Sequence, residues 1–122
     1  MVATTCLPLV ACEAASVATT GLVYGGVETR LIDDDIVNVR VSMRGPETSD
    51  DVTRYAECAA AQYALIRGYG FARHVRTTID EGAGRWTADA VYTISAALPA
   101  GLKTIDAEVT VADCQRNGIP TI

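Results

Sequence analysis

The chain has 122 residues, of which 49% are hydrophobic and 20% are charged, a composition typical of one globular domain with a modest core. Its formal net charge of −5 argues against a nucleic-acid partner, because phosphate binding requires clustered Lys and Arg. No stretch approaches the roughly 20 consecutive apolar residues that a membrane-spanning helix needs. Attachment to a membrane would therefore require a different device.

The first residues carry no charge and end in a motif that resembles a lipidation signal. Residues 9–12 (Leu-Val-Ala-Cys) fit the bacterial lipobox, in which a peptidase cuts before the cysteine and that cysteine becomes the lipidated N-terminus. On this interpretation residues 1–12 are a lipoprotein signal, residues 13–23 are a small, polar tether, and residues 24–122 form a single domain. The motif predicts a membrane anchor at Cys12. The alternative is that this stretch forms a buried strand and Cys12 is an ordinary thiol.

Two strands are predicted before the first helix. Residues 36–44 alternate between apolar and polar side chains, as in a half-buried antiparallel strand with one face in water. Residues 27–31 are predicted to form a shorter strand, with Gly25-Gly26 as a turn or backbone kink before it. The aspartates at 33–35 are interpreted as a solvated turn between the strands. A cation site is the less favoured alternative, because adjacent carboxylates point in different directions and lack the spacing of a calcium loop.

Residues 48–67 are predicted to form the principal helix, which Gly68 ends in a left-handed conformation. Apolar residues recur along it at three- and four-residue spacing and form one stripe. This stripe predicts that Ala59 and Tyr63 face the sheet, whereas Ala61 faces solvent.

Three further strands are predicted after the helix. Residues 69–79 and 86–98 are joined by a glycine-rich hairpin connection. Residues 104–111 alternate most regularly of all and are predicted to be the fifth strand, followed by a loop-like tail. The resulting order is β-β-α-β-β-β. The predicted fold class is α+β, an antiparallel β-sheet with one helix packed on one face.

No group of residues predicts an active site. His74 is the single histidine, and no orienting carboxylate or nucleophile accompanies it in a recognisable motif. The sequence therefore predicts neither an enzyme nor a bound cofactor or metal. Four charged residues that alternate outward from the first two strands form a candidate interaction surface, although ion pairs that only fix the register are the simpler interpretation. They are Glu28, Arg30, Arg40 and Arg44.

The number of cysteines is relevant to the cellular compartment of the protein, because disulfides form in oxidising compartments. If Cys6 leaves with the signal and Cys12 carries lipid, Cys58 and Cys114 remain. An even remainder in an oxidising periplasm predicts one disulfide between them. Against this pairing, Cys114 falls on the polar side of the predicted last strand, so two separate thiols are the alternative. Zinc binding is not predicted, because the cysteines lack paired spacing.

A YGG-x-E-T-R-L element, a valine-rich strand that ends in Arg-Gly, and a helix that ends in A-L-x-x-G-Y follow one another within residues 24–72. This combination resembles the small uncharacterised lipoproteins of Caulobacter and related alphaproteobacteria. The resemblance implies an N-terminal lipoprotein signal, and hence lipidation at Cys12, but no reaction. The C-terminal half departs from the family pattern. The matching residues are Tyr24, Gly25, Gly26, Glu28, Thr29, Arg30, Leu31, Arg44, Gly45, Tyr55, Ala56, Leu65, Gly68 and Tyr69.

These features predict a non-enzymatic lipoprotein of the bacterial envelope that faces the periplasm. It would be a small domain, tethered to a membrane by lipid, that acts by contact with a protein partner in the envelope. The alternative is an unlipidated accessory or structural subunit of a larger assembly, with residues 1–20 ordered against a partner.

Overall fold

The computed structural model describes residues 21–98, 100–101 and 103–122. In chain order the elements are β1 (Val23–Asp33), β2 (Ile36–Arg44), α1 (Ser49–Ile66), β3 (Phe71–Gly82), β4 (Arg85–Ser95), β5 (Thr104–Asp106) and α2 (Ala107–Arg116). The predicted signal, Cys12 and most of the predicted tether lie outside the described residues. β1 begins at Val23, one residue before the predicted start of the domain.

The five strands form one antiparallel sheet with the order β1-β2-β4-β3-β5. Hairpins join β1 to β2 and β3 to β4, and α1 connects the two hairpins. β2 and β4 therefore lie side by side within the sheet. One face of each strand packs against the helices and is apolar. The predicted α+β class is confirmed, and the first helix lies between the second and third strands as predicted.

One hydrophobic core lies between this sheet and the helices. The alternating apolar residues of β2 supply its largest strand contribution, and β4 adds two alanines and two larger side chains. Small residues on α1 and β4 let the helix backbone lie close to the sheet. The buried strand residues of this core are Val37, Val39, Val41, Met43, Ala72, Ala88, Ala90, Tyr92 and Ile94.

The bounds of α1 follow from its end signals. The Thr48 hydroxyl accepts a hydrogen bond from the Asp50 backbone N–H at 3.3 Å, as an N-cap residue does. At the other end Gly68 has a φ of +85°, the left-handed conformation that ends helices. The predicted helix is confirmed to within one residue at each end.

The prediction that Ala61 faces solvent is wrong. Ala61 is fully buried, as is Ala59 on the predicted core stripe. The reason is a second helix: α2 packs along α1 on the side that carries Arg54, Cys58 and Ala61, which are spaced by four and three residues and share one face. α1 is therefore covered on two sides and not on one.

The predicted fifth strand is correct only for its first three residues. From Ala107 the chain is helical, because the Asp106 carboxylate accepts a hydrogen bond from the Val109 backbone N–H at 3.1 Å and so caps the first turn. Ala107, Val111 and Cys114 are buried, and their spacing of four and three residues places them on one helix face. The sequence therefore contains two overlapping patterns: residues 104–111 alternate as in a strand, and Ala107, Val111 and Cys114 have the spacing of a helix face.

The predicted Cys58–Cys114 disulfide is present, with the two Cα atoms 6.0 Å apart. The objection that Cys114 lies on the polar side of a strand disappears because Cys114 belongs to α2 and faces α1. The two cysteines are separated by 56 residues. Closing a loop of this length stabilises the folded state by about 4 kcal/mol in the chain-entropy account of disulfides.

The two-sided burial of α1 predicts the stabilities of two aspartate variants. Ala59→Asp and Ala61→Asp should each lose more than about 3 kcal/mol of unfolding free energy, because each buries an unpaired carboxylate. Val109→Asp is the matched control, since Val109 is 64% exposed on α2, and it should change the stability by no more than about 0.5 kcal/mol. Urea denaturation measures all three. An Ala61→Asp variant as stable as the control would contradict the packing of α2 on α1.

Candidate functional site

The helices cover one face of the sheet and leave the other uncovered by any element in the described part of the chain. We call this second surface the open face. The register places on it the outward side chains of four neighbouring strands. Its polar and charged side chains include Glu28 and Arg30 on β1, Asn38, Arg40, Ser42 and Arg44 on β2, Arg85, Thr87 and Asp89 on β4, and Arg73, Arg76, Thr78 and Asp80 on β3.

The open face concentrates positive charge in an acidic protein. Six of the ten Lys and Arg residues of the chain are arginines on this face. Three carboxylates stand among them, at Glu28, Asp80 and Asp89. Both signs are thus interspersed, and a partner that binds here must present both hydrogen-bond donors and acceptors.

A groove of about 600 Å³ runs across the open face, because the sheet curls and four strands line one hollow. Its floor is one cross-strand row of short side chains: Gly26, Ser42 and Thr87. Charged side chains rise from the neighbouring rows, with Arg40 and Asp89 on one flank and Arg85 on the other. The groove therefore has a low floor of small residues between polar walls.

The backbone of β1 at Gly25-Gly26 shapes the end of this groove. The register shifts between Tyr24 and Gly26, which marks a β-bulge and confirms the predicted kink. A Cβ atom at Gly25 would lie 2.9 Å from the Ser42 carbonyl oxygen, too close for any side chain, and Gly26 has a φ of +120°. The Gly26 N–H donates to the Tyr55 hydroxyl of α1 at 3.1 Å, so the core helix fixes the bulge.

The best-defined polar cluster of the groove is centred on Asp89. One carboxylate oxygen accepts a hydrogen bond from Asn38 Nδ2, and the other accepts from Arg40 Nε at 3.1 Å. The side chains of Arg40 and Asp89 are 58% and 37% exposed, so this ion pair contributes at most about 1 kcal/mol to stability. Because it is open to water, the pair is available to a partner.

The structure brings together three of the four predicted surface residues. Glu28, Arg30 and Arg40 line one shallow depression of about 290 Å³ with Asn38. Arg44 lies apart from them in a separate depression beside Arg85, and its Nη1 donates to the Ala83 carbonyl oxygen at 3.2 Å.

Asp89 and Arg85 were missed by the sequence interpretation. Both residues alternate with the buried residues of β4 and so point to the open face, where Asp89 lies opposite Arg40 and Arg85 lies opposite Arg44. This arrangement can be recognised only when β4 is known to lie beside β2.

His74 lies on the covered side of the sheet, opposite Tyr92 of β4. A bulge between His74 and Arg76 shifts the register by one residue, so Val75 projects outward and is 53% exposed. The His74 ring packs edge-on against Tyr92 with 5.3 Å between centroids, and its Nε2 is 2.7 Å from the Thr77 hydroxyl oxygen. A catalytic histidine would need a nucleophile or an orienting carboxylate. In this cluster its hydrogen-bond partner is a threonine.

The electrostatics of this cluster follow from burial. Desolvation lowers the pKa of His74, and the positive charge of Lys103 lowers it further. Burial raises the pKa of Tyr92 far above its usual range, with a smaller contribution from Glu57. The pKa of Glu57 is itself raised by burial. At neutral pH His74 and Tyr92 are therefore both uncharged, which suits a packed aromatic pair.

The described residues contain no group of three His, Cys, Asp or Glu side chains placed to hold a metal ion. The three predicted turn aspartates are all exposed at the β1–β2 hairpin, and Asp34 N–H donates to Asp33 Oδ1 at 2.8 Å. This geometry is that of a solvated turn. As for membranes, neither α1 nor α2 combines the length and apolar character that crossing a bilayer demands.

Comparison with known proteins gives two matches. Residues 24–118, which include every described helix and strand except the first residue of β1, match the family described as YNQ4 C-terminal domain. An uncharacterised 26.9 kDa protein in the nqo8 5′ region of Paracoccus denitrificans is 36% identical over 87 residues. This alignment covers 71% of the present chain but only 34% of that protein, so the chain spans about a third of the length of this relative. No solved structure matches the chain.

These matches support the resemblance seen in the sequence at its coarser level, an uncharacterised family represented in alphaproteobacteria. They also extend it. The resemblance was drawn from residues 24–72, whereas the family match continues through β3, β4, β5 and α2.

The position of His74 predicts its titration. As the only histidine of the chain, it gives a single set of imidazole signals in NMR spectra, and its pKa should lie below 6.5. Lys103→Met should raise this pKa part of the way towards 6.5, whereas Lys103→Arg, which keeps the charge, should leave it unchanged. Because the folded-state pKa is lowered, the contribution of His74 to stability is present above pH 6.5 and falls as the pH drops below it. A pKa above 6.5 would contradict the buried orientation.

Proposed function

The chain belongs to the YNQ4 C-terminal domain family, and from this premise we propose that it is a non-enzymatic contact domain held at a membrane of the bacterial envelope. Lipid on Cys12 provides the attachment. The open face provides the contact with a protein partner in the envelope. The observation that carries the proposal is the open face itself, a groove with exposed ion-pairing groups on a sheet whose other face is fully used by the core.

Two observations support an envelope location. The Leu-Val-Ala-Cys sequence at residues 9–12 has the lipobox pattern, followed by a small, polar segment. The Cys58–Cys114 disulfide independently favours an oxidising compartment, because thiols of this kind stay reduced in the bacterial cytoplasm. A lipoprotein that faces the periplasm satisfies both.

Contact is favoured over catalysis by the chemistry of the groove. Its ionisable side chains are Glu28, Asp80, Asp89 and two arginines, and none of the three carboxyl groups is buried, whereas general acids and bases usually lie in enclosed sites. The floor consists of Gly26, Ser42 and Thr87, and among the described residues no hydrogen bond joins the Ser42 hydroxyl to a basic or acidic side chain. Such a surface binds through hydrogen bonds and ion pairs while the ligand stays chemically unchanged.

The anchor is tested by fractionating cells that produce the full chain. Several acyl chains on one cysteine attach a protein durably, and with a net charge of −5 the body gains nothing from anionic headgroups. Cys12→Ser should therefore move the protein to the soluble fraction at every salt concentration, whereas high salt alone should not release the unmodified chain. Cys6→Ser is the matched control and should stay with the membrane. Membrane retention of Cys12→Ser would replace the anchor with the alternative, an unlipidated subunit of an assembly.

The contact surface is tested by photo-crosslinking in intact cells. A photoreactive amino acid at Arg85, on the groove wall, should give a discrete protein adduct, whereas the same amino acid at the exposed Val109 of α2 should not. Arg40→Glu, which places a negative charge beside Asp89, should reduce the adduct at position 85 several-fold without changing the melting temperature by more than a few degrees. Equal adducts at both positions, or adducts with lipid alone, would refute the groove as the contact site.

A further inference from the structure

β1 is a long strand at the edge of the sheet. It pairs with β2 on its inner side, and no described strand pairs with its outer side. The opposite edge differs, because β5 covers the first residues of β3. Unpaired backbone N–H and C=O groups along an edge strand are a template for another strand. Thus β1 offers a backbone surface that can be extended by pairing.

Only the central part of this edge is regular. The bulge at Gly25-Gly26 interrupts it at one end, and a second register shift follows Leu31 at the other. The C-terminal residues Pro120–Ile122 lie beside the bulged end, where they line a cavity with Tyr24 and Tyr55. The edge that can pair regularly therefore runs from Val27 to Leu31, and its middle residue is Thr29.

The side chains of this segment divide cleanly between the two faces of the sheet. Val27, Thr29 and Leu31 lie on the core face, where Val27 and Leu31 pack against the hydrophobic cluster while remaining partly exposed. Glu28 and Arg30 lie on the open face, and both are exposed. Of these two, Arg30 has only the neutral Asn38 opposite it on β2, and no ion pair among the described residues includes it.

We propose that β1 pairs antiparallel with β1 of a second copy of this chain, with Thr29 on the two-fold axis. This pairing places Glu28 of each copy opposite Arg30 of the other. It also places Val27 opposite Leu31 on the core face. The two sheets become one continuous sheet of ten strands, with both open faces on the same side.

The charge pattern selects this register over its neighbours. In a continuous sheet, residues that lie opposite each other must point to the same face. Of the neighbouring registers, only two meet this condition: one places the two-fold axis at Glu28 and the other places it at Arg30. An axis at Glu28 would set two glutamates opposite each other, and an axis at Arg30 would set two arginines opposite each other. Like charges directly opposite destabilise a strand pair, whereas opposite charges stabilise it. Only the axis at Thr29 makes both cross-strand pairs attractive.

The same arrangement gives Arg30 an ion-pair partner, which it lacks among the described residues of a single chain. Glu28 already faces Arg40 across β2, and the second copy adds Arg30 on its other side. Arg30 gains its first carboxylate partner. A pairing over five residues buries a small area, so the dimer is expected to be weak and concentration-dependent. It involves neither Cys12 nor the groove floor, and it stands or falls separately from the proposed function.

The test is a charge-reversal cycle on the full chain in solution. All variants carry Cys6→Ser and Cys12→Ser, so that those thiols cannot link two copies. The parent should show a concentration-dependent dimer in sedimentation velocity. Glu28→Arg alone and Arg30→Glu alone should each weaken dimerisation at least tenfold, because each sets like charges opposite each other at both pairs. Mixing these two variants in equal amounts should restore a dimer that contains one copy of each.

The mixing step separates this interface from a general effect of charge or stability. Glu81→Arg makes the same change of charge at an exposed position on β3 and should leave the parent dimer intact. Thermal unfolding of each variant verifies that it is folded. The proposal is wrong if the parent is monomeric throughout the concentration series. It is equally wrong if the single variants dimerise like the parent or if the mixed pair stays monomeric.

Discussion

The packing of α1 between the sheet and α2 is the contact on which the other features of the domain depend. Alanines occupy both of its buried sides, so its backbone lies close to the strands and to the second helix at once. Tyr55 extends from it to the bulge of β1, where its hydroxyl accepts a hydrogen bond from Gly26. Cys58 joins it covalently to α2. A larger side chain at these alanines would separate layers that the disulfide and the Tyr55 hydrogen bond hold together.

This concentration of apolar contacts on one side of the sheet leaves the other side free for polar ones. The core face of β2 is fully buried, whereas its open face carries Arg40 and Arg44 into water. The Arg40–Asp89 pair contributes little to stability, as exposed ion pairs do, and its removal would not unfold the domain. Side chains of the open face can therefore be exchanged without loss of the fold, which the core face maintains.

Much of the architecture was predictable because it rests on local periodicity. The valines of β2 and the caps of α1 each signal one conformation, and the fold class follows from their order. The failures share a different cause, which is that long-range packing decided between two locally acceptable conformations. Residues 104–111 alternate like a strand, yet the capping carboxylate of Asp106 and the packing on α1 make most of them helical.

The site was predictable only in part for the same reason. Glu28, Arg30 and Arg40 were identified because β1 and β2 are consecutive, and a hairpin sets their register. Asp89 lies 49 residues beyond Arg40 and comes beside it only because β4, and not β3, pairs with β2. His74 faces the core side of the sheet because of a β-bulge in β3 between His74 and Arg76, and the sequence pattern does not indicate this bulge.

The position of the disulfide also has a consequence for the biogenesis of the domain. Three strands, β3, β4 and β5, lie between Cys58 and Cys114, so the bond cannot close until all of them and most of α2 have been synthesised. During that interval Cys58 lacks its native partner. Formation of this bond therefore requires almost the whole domain to be present. A chain arrested before α2 would lack the covalent link that joins the two helices in the complete domain.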